Sequence, residues 1–442
     1  MRRDGSSRFA KDNRWGTFPS FSAAWRISTE PFWENIRPIV DDFKFRVSYG
    51  VLGNQPGSNY AHIATGGYAT NLGYLFGNGS SFVRGASING YTDTNIQWER
   101  TKSVNVGFDA NLFECVSLTA NYFQNKTDKL LMGVPIAPSI GGGSPTTNAG
   151  KMSNKGFEFN AAYHSPSSKD FQYSISANIS TVSNEVEKMG TTGEVLWGAK
   201  LSSSNQSITC AREGYPIGSF FMKQALGIFQ SQEEIDNYKD EKGNLIQPNA
   251  APGDVKYLDA DKNGVINSSD AVYSGSPFPD FSYGLNFSGN YKNFDFTVFL
   301  QGTYGNKMFD ANTFRLHNST TDFNLSRDLL NAWTPENTNT NIPRLIVTDP
   351  NHNTDPSTRF LKDASYLRLK TLQVGYNFPI AVIHKIGLNA LRVYVSANNL
   401  LTITGYSGYD PSYASGGLLN VGIDESIYPL SRTFTCGFVV KF

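Results

Sequence analysis

The chain has 442 residues, with 38 Lys and Arg against 38 Asp and Glu, so its formal net charge is zero and only 17% of its residues are charged. That balance gives no electrostatic case for nucleic acid as a partner, and no apolar run approaches the ~18–20 residues of a membrane-spanning helix. Cys115, Cys210 and Cys436 are odd in number and widely spaced with no CxxC, and the five His residues form no HxxxH pair; neither a disulfide framework nor a zinc site is expected.

In chain order, the opening MRRDGSSRFAKDNRW carries charge but lacks the apolar core of a signal peptide. From there period-two alternation predicts eleven strands, near 17–27, 43–52, 97–112, 117–130, 150–163, 172–184, 281–291, 294–304, 366–378, 391–402 and 431–442. Val104, Val106, Phe108, Ala110 and Leu112 alternate with Ser103, Asn105, Asp109 and Asn111; Phe281, Tyr283, Leu285 and Phe287 alternate with Ser282, Gly284, Asn286 and Ser288. The second face decides the class. It is Ser, Asn, Thr, Gly and Asp, which suits water and not a second packed sheet. Strands of about 9–11 residues that are apolar on one side and polar on the other are those of a transmembrane barrel.

The connections divide into two kinds. Short ones fall near 113–116, 164–171 and 292–293, and long polar ones cover about 53–96, 131–150, 185–280, 305–365 and 403–430. Outer-membrane barrels have this asymmetry, with short periplasmic turns and long outer loops, whereas soluble domains rarely carry such long connections. If the short turns are periplasmic, the first and last strands both run toward the periplasm. A complete barrel starts upward and ends downward, so the odd count leads us to expect an upward strand missing at the front, with Met1-Arg2-Arg3 as its stump.

Several segments carry a resemblance: 4–32, FRVSYGVLGNQ (45–55), QWERTKSVNVGFDANLF (97–113), GDVKYLDADKNGVIN (253–267), FLKDASYLRLKTLQVGYNFP (360–379) and LRVYVSANNLLTITGYSGYDP (391–411). In order and spacing they resemble the C-terminal half of SusC/RagA-type TonB-linked outer-membrane transporters of Bacteroidetes. The resemblance implies an all-β fold in which residues 1–442 form about eleven strands of a 22-stranded antiparallel transmembrane barrel. It implies an outer-membrane location, import of oligosaccharides or peptides beneath a SusD-like lipoprotein lid, and energy from the TonB complex through an N-terminal part. The plug domain is expected to be absent from this chain. An enzyme is not expected, since GGG at 141–143 lacks the Lys-Ser/Thr of a phosphate loop and no GxSxG occurs. The alternatives are a secreted soluble β-protein with a calcium-stiffened carbohydrate-binding surface, and a non-functional fragment of a longer protein.

The sharpest local motif lies within the 185–280 connection, at DADKNGVINSSD (259–270). Oxygen donors recur at the calcium-loop positions 1, 3, 5, 7, 9 and 12, supplied by Asp259, Asp261, Asn263, the Val265 carbonyl, Asn267 and Asp270, with Gly264 at the sharp turn of position 6. Asp stands at position 12 where Glu is usual. The flanks are strand-like, so the expectation is a structural Ca²⁺ that stiffens an outer loop and not a sensor that opens a helix pair; the plain alternative is an Asp/Asn/Gly turn with no metal. Phe442 ends the chain on the lipid-facing parity, and the resemblance gives it the role of barrel-assembly signal. Tyr406, Tyr409, Tyr413, Trp197 and Trp333 in the long connections suit either ligand stacking or packing of the loops, and none is assigned to binding.

Overall fold

The alternating segments become eleven long strands among the described residues, at nearly the expected bounds. They are β1 (Ser20–Arg26), β2 (Val40–Asn54), β3 (Glu99–Leu112), β4 (Val116–Gly133), β5 (Thr146–His164), β6 (Phe171–Thr181), β7 (Phe281–Tyr291), β8 (Phe294–Tyr304), β9 (Tyr366–Asn377), β10 (Ala390–Thr404) and β11 (Thr433–Lys441). The computed structural model describes residues 1–442 apart from 58, 80, 89–90, 135–138, 140–143, 167–169, 191–192, 194, 202–203 and 413–416, and apart from the side chains of 69–72, 81, 87 and 88. Gly141–Gly143 and Tyr413 therefore lie outside the described residues. No helix among the described residues is long and apolar enough to cross a membrane. The chain divides into two compact units.

The first unit comprises Met1–Ala161, Val182–Val195 and Arg212–Pro216. Strands β1 to β4 pair in chain order as an antiparallel meander; β5 follows β4 in the sheet, and Ser183–Lys188 pairs antiparallel with β5. Its buried apolar cluster is Phe9, Phe18, Ile96 and Trp98. Both Phe rings lie against Trp98, at 5.3 and 5.5 Å between centroids, and the indole N–H donates to the Arg14 carbonyl at 3.1 Å. The long 53–96 connection holds an antiparallel hairpin of its own, Gly66–Phe76 with Ser81–Ile88.

The second unit comprises Ala162–Thr181, Leu196–Ala211 and Ile217–Phe442. Here β6 to β11 again pair in chain order, every step antiparallel. The wall inverts ordinary burial. Phe294, Val395, Phe434 and Phe438 are 51–74% exposed although they occupy the middle or ends of long strands. A contiguous apolar surface of this kind has no place in water; hydrocarbon is the solvent that suits it.

The polar faces are laced across strands, and glycine makes room for the lacing. In the first unit Arg46 of β2 donates to Asp109 at 2.8 and 3.0 Å and to Asn121 of β4 at 3.0 Å. It passes over Gly107 of β3, where a Cβ would stand 2.2 Å from the Asn121 amide oxygen. In the second unit Arg392 of β10 reaches Asp295 of β8 above Gly375 of β9, where a Cβ would meet both partners at 2.6 Å. Each guanidinium thus ties strands two apart with charge-assisted bonds.

The long connections of the second unit are folded, not slack. They contain its buried core, in which Leu201, Ile208, Phe220, Met222, Phe309, Phe314, Phe360 and Ile423 converge. The rings of Phe309, Phe314 and Phe360 meet at 5.2–6.0 Å. Beside it, Asp254 is fully buried and held by Arg344 at 2.6 and 3.0 Å, by the Asn353 amide at 2.8 Å and by the Ala251 N–H at 2.8 Å. A carboxylate removed from water needs such a set of donors, because desolvating it otherwise costs several kcal/mol.

The exposure of the apolar face makes a direct test. Val395→Arg, at the middle of β10, should destabilise the membrane-inserted protein by about 2–4 kcal/mol, while Ser396→Arg on the opposite face should cost less than about 1 kcal/mol. Urea unfolding in lipid vesicles measures both, and equal costs would argue against a lipid-facing Val395.

Candidate metal centre

The 259–270 loop is held between two short strands. Val255–Tyr257 pairs antiparallel with Ala225–Ile228, and Ala271–Gly275 pairs antiparallel with Ser219–Lys223. Helices do not flank it, as the sequence predicts. Lys262 and Gly264 adopt positive φ, +58° and +85°, and this reverses the chain within a few residues.

That reversal brings carboxylate oxygens of Asp259, Asp261 and Asp270 within 4.8 Å of one another. Asp270 is fully buried, Asp259 half-buried and Asp261 exposed. Asp270 fastens the loop ends, accepting the Ala260 N–H at 2.8 Å and the Asn267 N–H at 2.7 Å. Asp259 accepts from the Gly264 and Asn263 N–H groups at 2.9 and 3.2 Å, and Asp261 accepts from the Asn263 amide at 2.9 Å. The other expected donors form a chain along the turn: the Asn263 side chain accepts from the Val265 N–H at 2.8 Å, the Val265 carbonyl from the Asn267 amide at 3.3 Å, and the Asn267 side chain from the Ser269 N–H at 2.7 Å.

The donor set fits a divalent cation. Three carboxylates so close repel by on the order of 3 kcal/mol per pair at an effective dielectric of 20, and among the described residues none forms an ion pair with a Lys, Arg or His. Oxygens on opposite sides of a hard cation lie about 4–5 Å apart, which the observed spread accommodates.

Two neighbours were not legible in the motif. Asp240 caps a turn through the Asn244 amide and the N–H groups of Lys242 and Asn244; the Asn244 bond is the main cause holding its carboxyl below the ordinary value. It stands over the metal loop, since a Cβ on Gly264 would lie 2.8 Å from its Oδ2. Burial above all, with the nearby charges of Asp259 and Asp270 adding, pushes the Tyr238 phenol upward, and its hydroxyl donates to the Tyr257 carbonyl at 2.5 Å.

Of the loop aromatics, Tyr406 and Trp333 are packing residues. Tyr406 is buried and donates to Asp424 at 2.8 Å, and the buried Trp333 indole donates to Gln230 at 2.9 Å. Tyr409 and Trp197 stay open to solvent. Phe442, 88% exposed, directly follows β11 in parity with the exposed Phe434 and Phe438.

Comparison with known proteins agrees with this architecture. The model of the family described as TonB dependent receptor-like, beta-barrel, matches residues 1–400. The TonB-dependent receptor P3 of Formosa agariphila is 34% identical over all of this chain and 43% of its own length. The TonB-dependent receptor SusC of Bacteroides thetaiotaomicron is 30% identical over all of this chain and 42% of its own. The chain therefore spans less than half the length of the curated relatives it matches. The structure of the RagAB peptide transporter superposes on 99% of this chain and 45% of that one with a TM-score of 0.80; at 24% identity the likeness is one of fold. The chain belongs to the family of TonB dependent receptor-like β-barrels.

Proposed function

We propose that this chain is the C-terminal half-barrel of an energised importer of large nutrients, oligosaccharides or peptides, acting with a SusD-like lipoprotein lid. In this reading the plug and the segment that engages the TonB complex belong to a part of the protein outside residues 1–442. The family is one of outer-membrane transport proteins and not of catalysts. The observation that carries the proposal is that the whole chain aligns to less than half of each full-length TonB-dependent receptor while its strands expose an apolar face. The RagAB peptide transporter suggests the peptide class by likeness of fold, and the family resemblance implies the oligosaccharide class. Deleting the gene in its host should abolish growth on one class of oligosaccharide or on peptides as sole source, with monosaccharide and amino-acid growth intact. Unchanged growth on every polymer would overturn the importer reading.

We propose Ca²⁺ as the ion of the 259–270 loop, with Asp259, Asp261, Asn263, the Val265 carbonyl, Asn267 and Asp270 as its donors. The twelve-residue spacing supports calcium, which accepts six to eight oxygens in flexible geometry, over magnesium, which demands a near-ideal octahedron. The ion would cancel the carboxylate repulsion and rigidify the connection between two short strands. Calcium at about 5 mM, above the 10⁻⁴–10⁻³ M range of extracellular modules, should raise Tm, and by more than equal magnesium; Asp261→Asn should weaken the response about tenfold. A melting curve indifferent to calcium and chelator alike would identify the loop as a metal-free turn.

For Phe442 we propose the barrel-assembly role. Its side chain is 88% exposed, so Phe442→Ser should leave the stability of inserted protein nearly unchanged and lower the amount inserted severalfold. Quantitative immunoblotting of outer-membrane fractions measures this; full insertion of the variant would remove the role.

A further inference from the structure

The second unit contains a pocket of about 670 Å³ beside the candidate metal loop, with apolar Ile208, Phe221 and Met222 and polar Gln206, Ser207 and Ser268 in its lining. Its volume lies in the usual range for a small-molecule site, about 300–1,000 Å³. Ile208, Phe221 and Met222 form an apolar floor, each no more than 3% exposed. They are fixed there because the Phe221 N–H donates to the Ile208 carbonyl at 2.8 Å and Ser219–Lys223 pairs with Ala271–Gly275. Ile266 and Asn267 of the metal loop make one side. Trp197, 47% exposed, stands on a hairpin with Leu196 opposite Ala211 and Trp197 opposite Cys210.

The charges at this pocket do not balance. Lys223 pairs with Asp355, both side chains largely buried, so these two cancel. Lys200 donates to the Asn205 side-chain oxygen at 2.7 Å and has no carboxylate partner among the described residues. His352 is 72% exposed and 3.9 Å from Asp355, whose charge Lys223 already meets. Of the charged lining residues, the Lys200 ammonium is the one left without an opposite charge.

We propose that this pocket binds an apolar carboxylate, with the apolar body on Ile208, Phe221 and Met222 and the carboxylate at the Lys200 ammonium. Two sources present the required chemistry, the C-terminal residue of a peptide and a free organic acid. The proposal deepens the importer reading and rests on it for the ligand's route; its assay reads binding alone, so a failure here leaves the uptake experiment standing.

The test titrates the full chain, in detergent micelles, with Ala-Ala-Leu, its C-terminal amide, hexanoate and maltotetraose, reading Trp fluorescence and calorimetry. The free tripeptide should bind at least fivefold tighter than its amide, and this difference should vanish in Lys200→Met, a surface change with little effect on folding. Hexanoate binding as well as the tripeptide makes the free acid a sufficient ligand; much weaker binding assigns the site to a peptide terminus, and either result supports the carboxylate. Equal binding of acid and amide to the unaltered chain, an acid preference that survives Lys200→Met, tighter binding of maltotetraose, or no binding of any probe would each overturn it.

Discussion

A strand that crosses hydrocarbon has nowhere but its neighbours to place its N–H and C=O groups, and each unmet group costs several kcal/mol. The rest of this molecule follows from that constraint. The strands are long and antiparallel, and consecutive ones pair over most of their length, as β7 and β8 do through all eleven residues. Departures from regular pairing are small. Bulges at Lys370 on β9 and near Asn399 on β10 shift register by one residue, and Asn399, at φ +53°, supplies the backbone conformation that the second one requires.

With the backbone committed to the wall, side chains divide by solvent. The apolar face needs no internal core because lipid replaces it, and the buried apolar core of the second unit is found in the connections. This reverses the usual relation, in which elements carry the core and loops are carried by them. The polar face has its own difficulty, since long cationic side chains must reach partners across a closely spaced sheet. Gly107 and Gly375 answer it in the two units separately, leaving the surface of a middle strand low enough for a guanidinium to lie across it.

The wall was legible in the sequence because its signal is local: alternation with period two needs only the next few residues. The same is true of the candidate metal loop, whose oxygen-bearing residues fall within twelve positions, so the spacing alone groups Asp259, Asp261 and Asp270. The connections were legible only as long and polar. Their core joins residues with no common period, and their polar anchors are remote, with Asp254 meeting Arg344 90 positions away and Thr209 meeting the Leu419 carbonyl 210 positions away. Asp240 is not legible for the same reason: it approaches the loop at Gly264 through folding of the connection and not through spacing. Aromatic content misled in neither direction, but it could not separate Tyr406 and Trp333, which are buried with bonded polar atoms, from Trp197 and Tyr409, which are open.

The metal loop and the apolar pocket share a wall, and this gives the loop's rigidity a consequence. Asp270 ties the loop through Ala260 and Asn267, and Ile266 and Asn267 also line the pocket. Three carboxylates within 4.8 Å of one another repel, so a cation bound among them would favour the closed turn over any opened one. By linkage, whatever the pocket prefers in that same conformation must tighten the cation in return, by an equal factor. The size of the effect is limited by how differently the closed and opened turn would hold each ligand, so the Asp270 bonds, which already close the turn, set how much a cation could add to what the pocket retains.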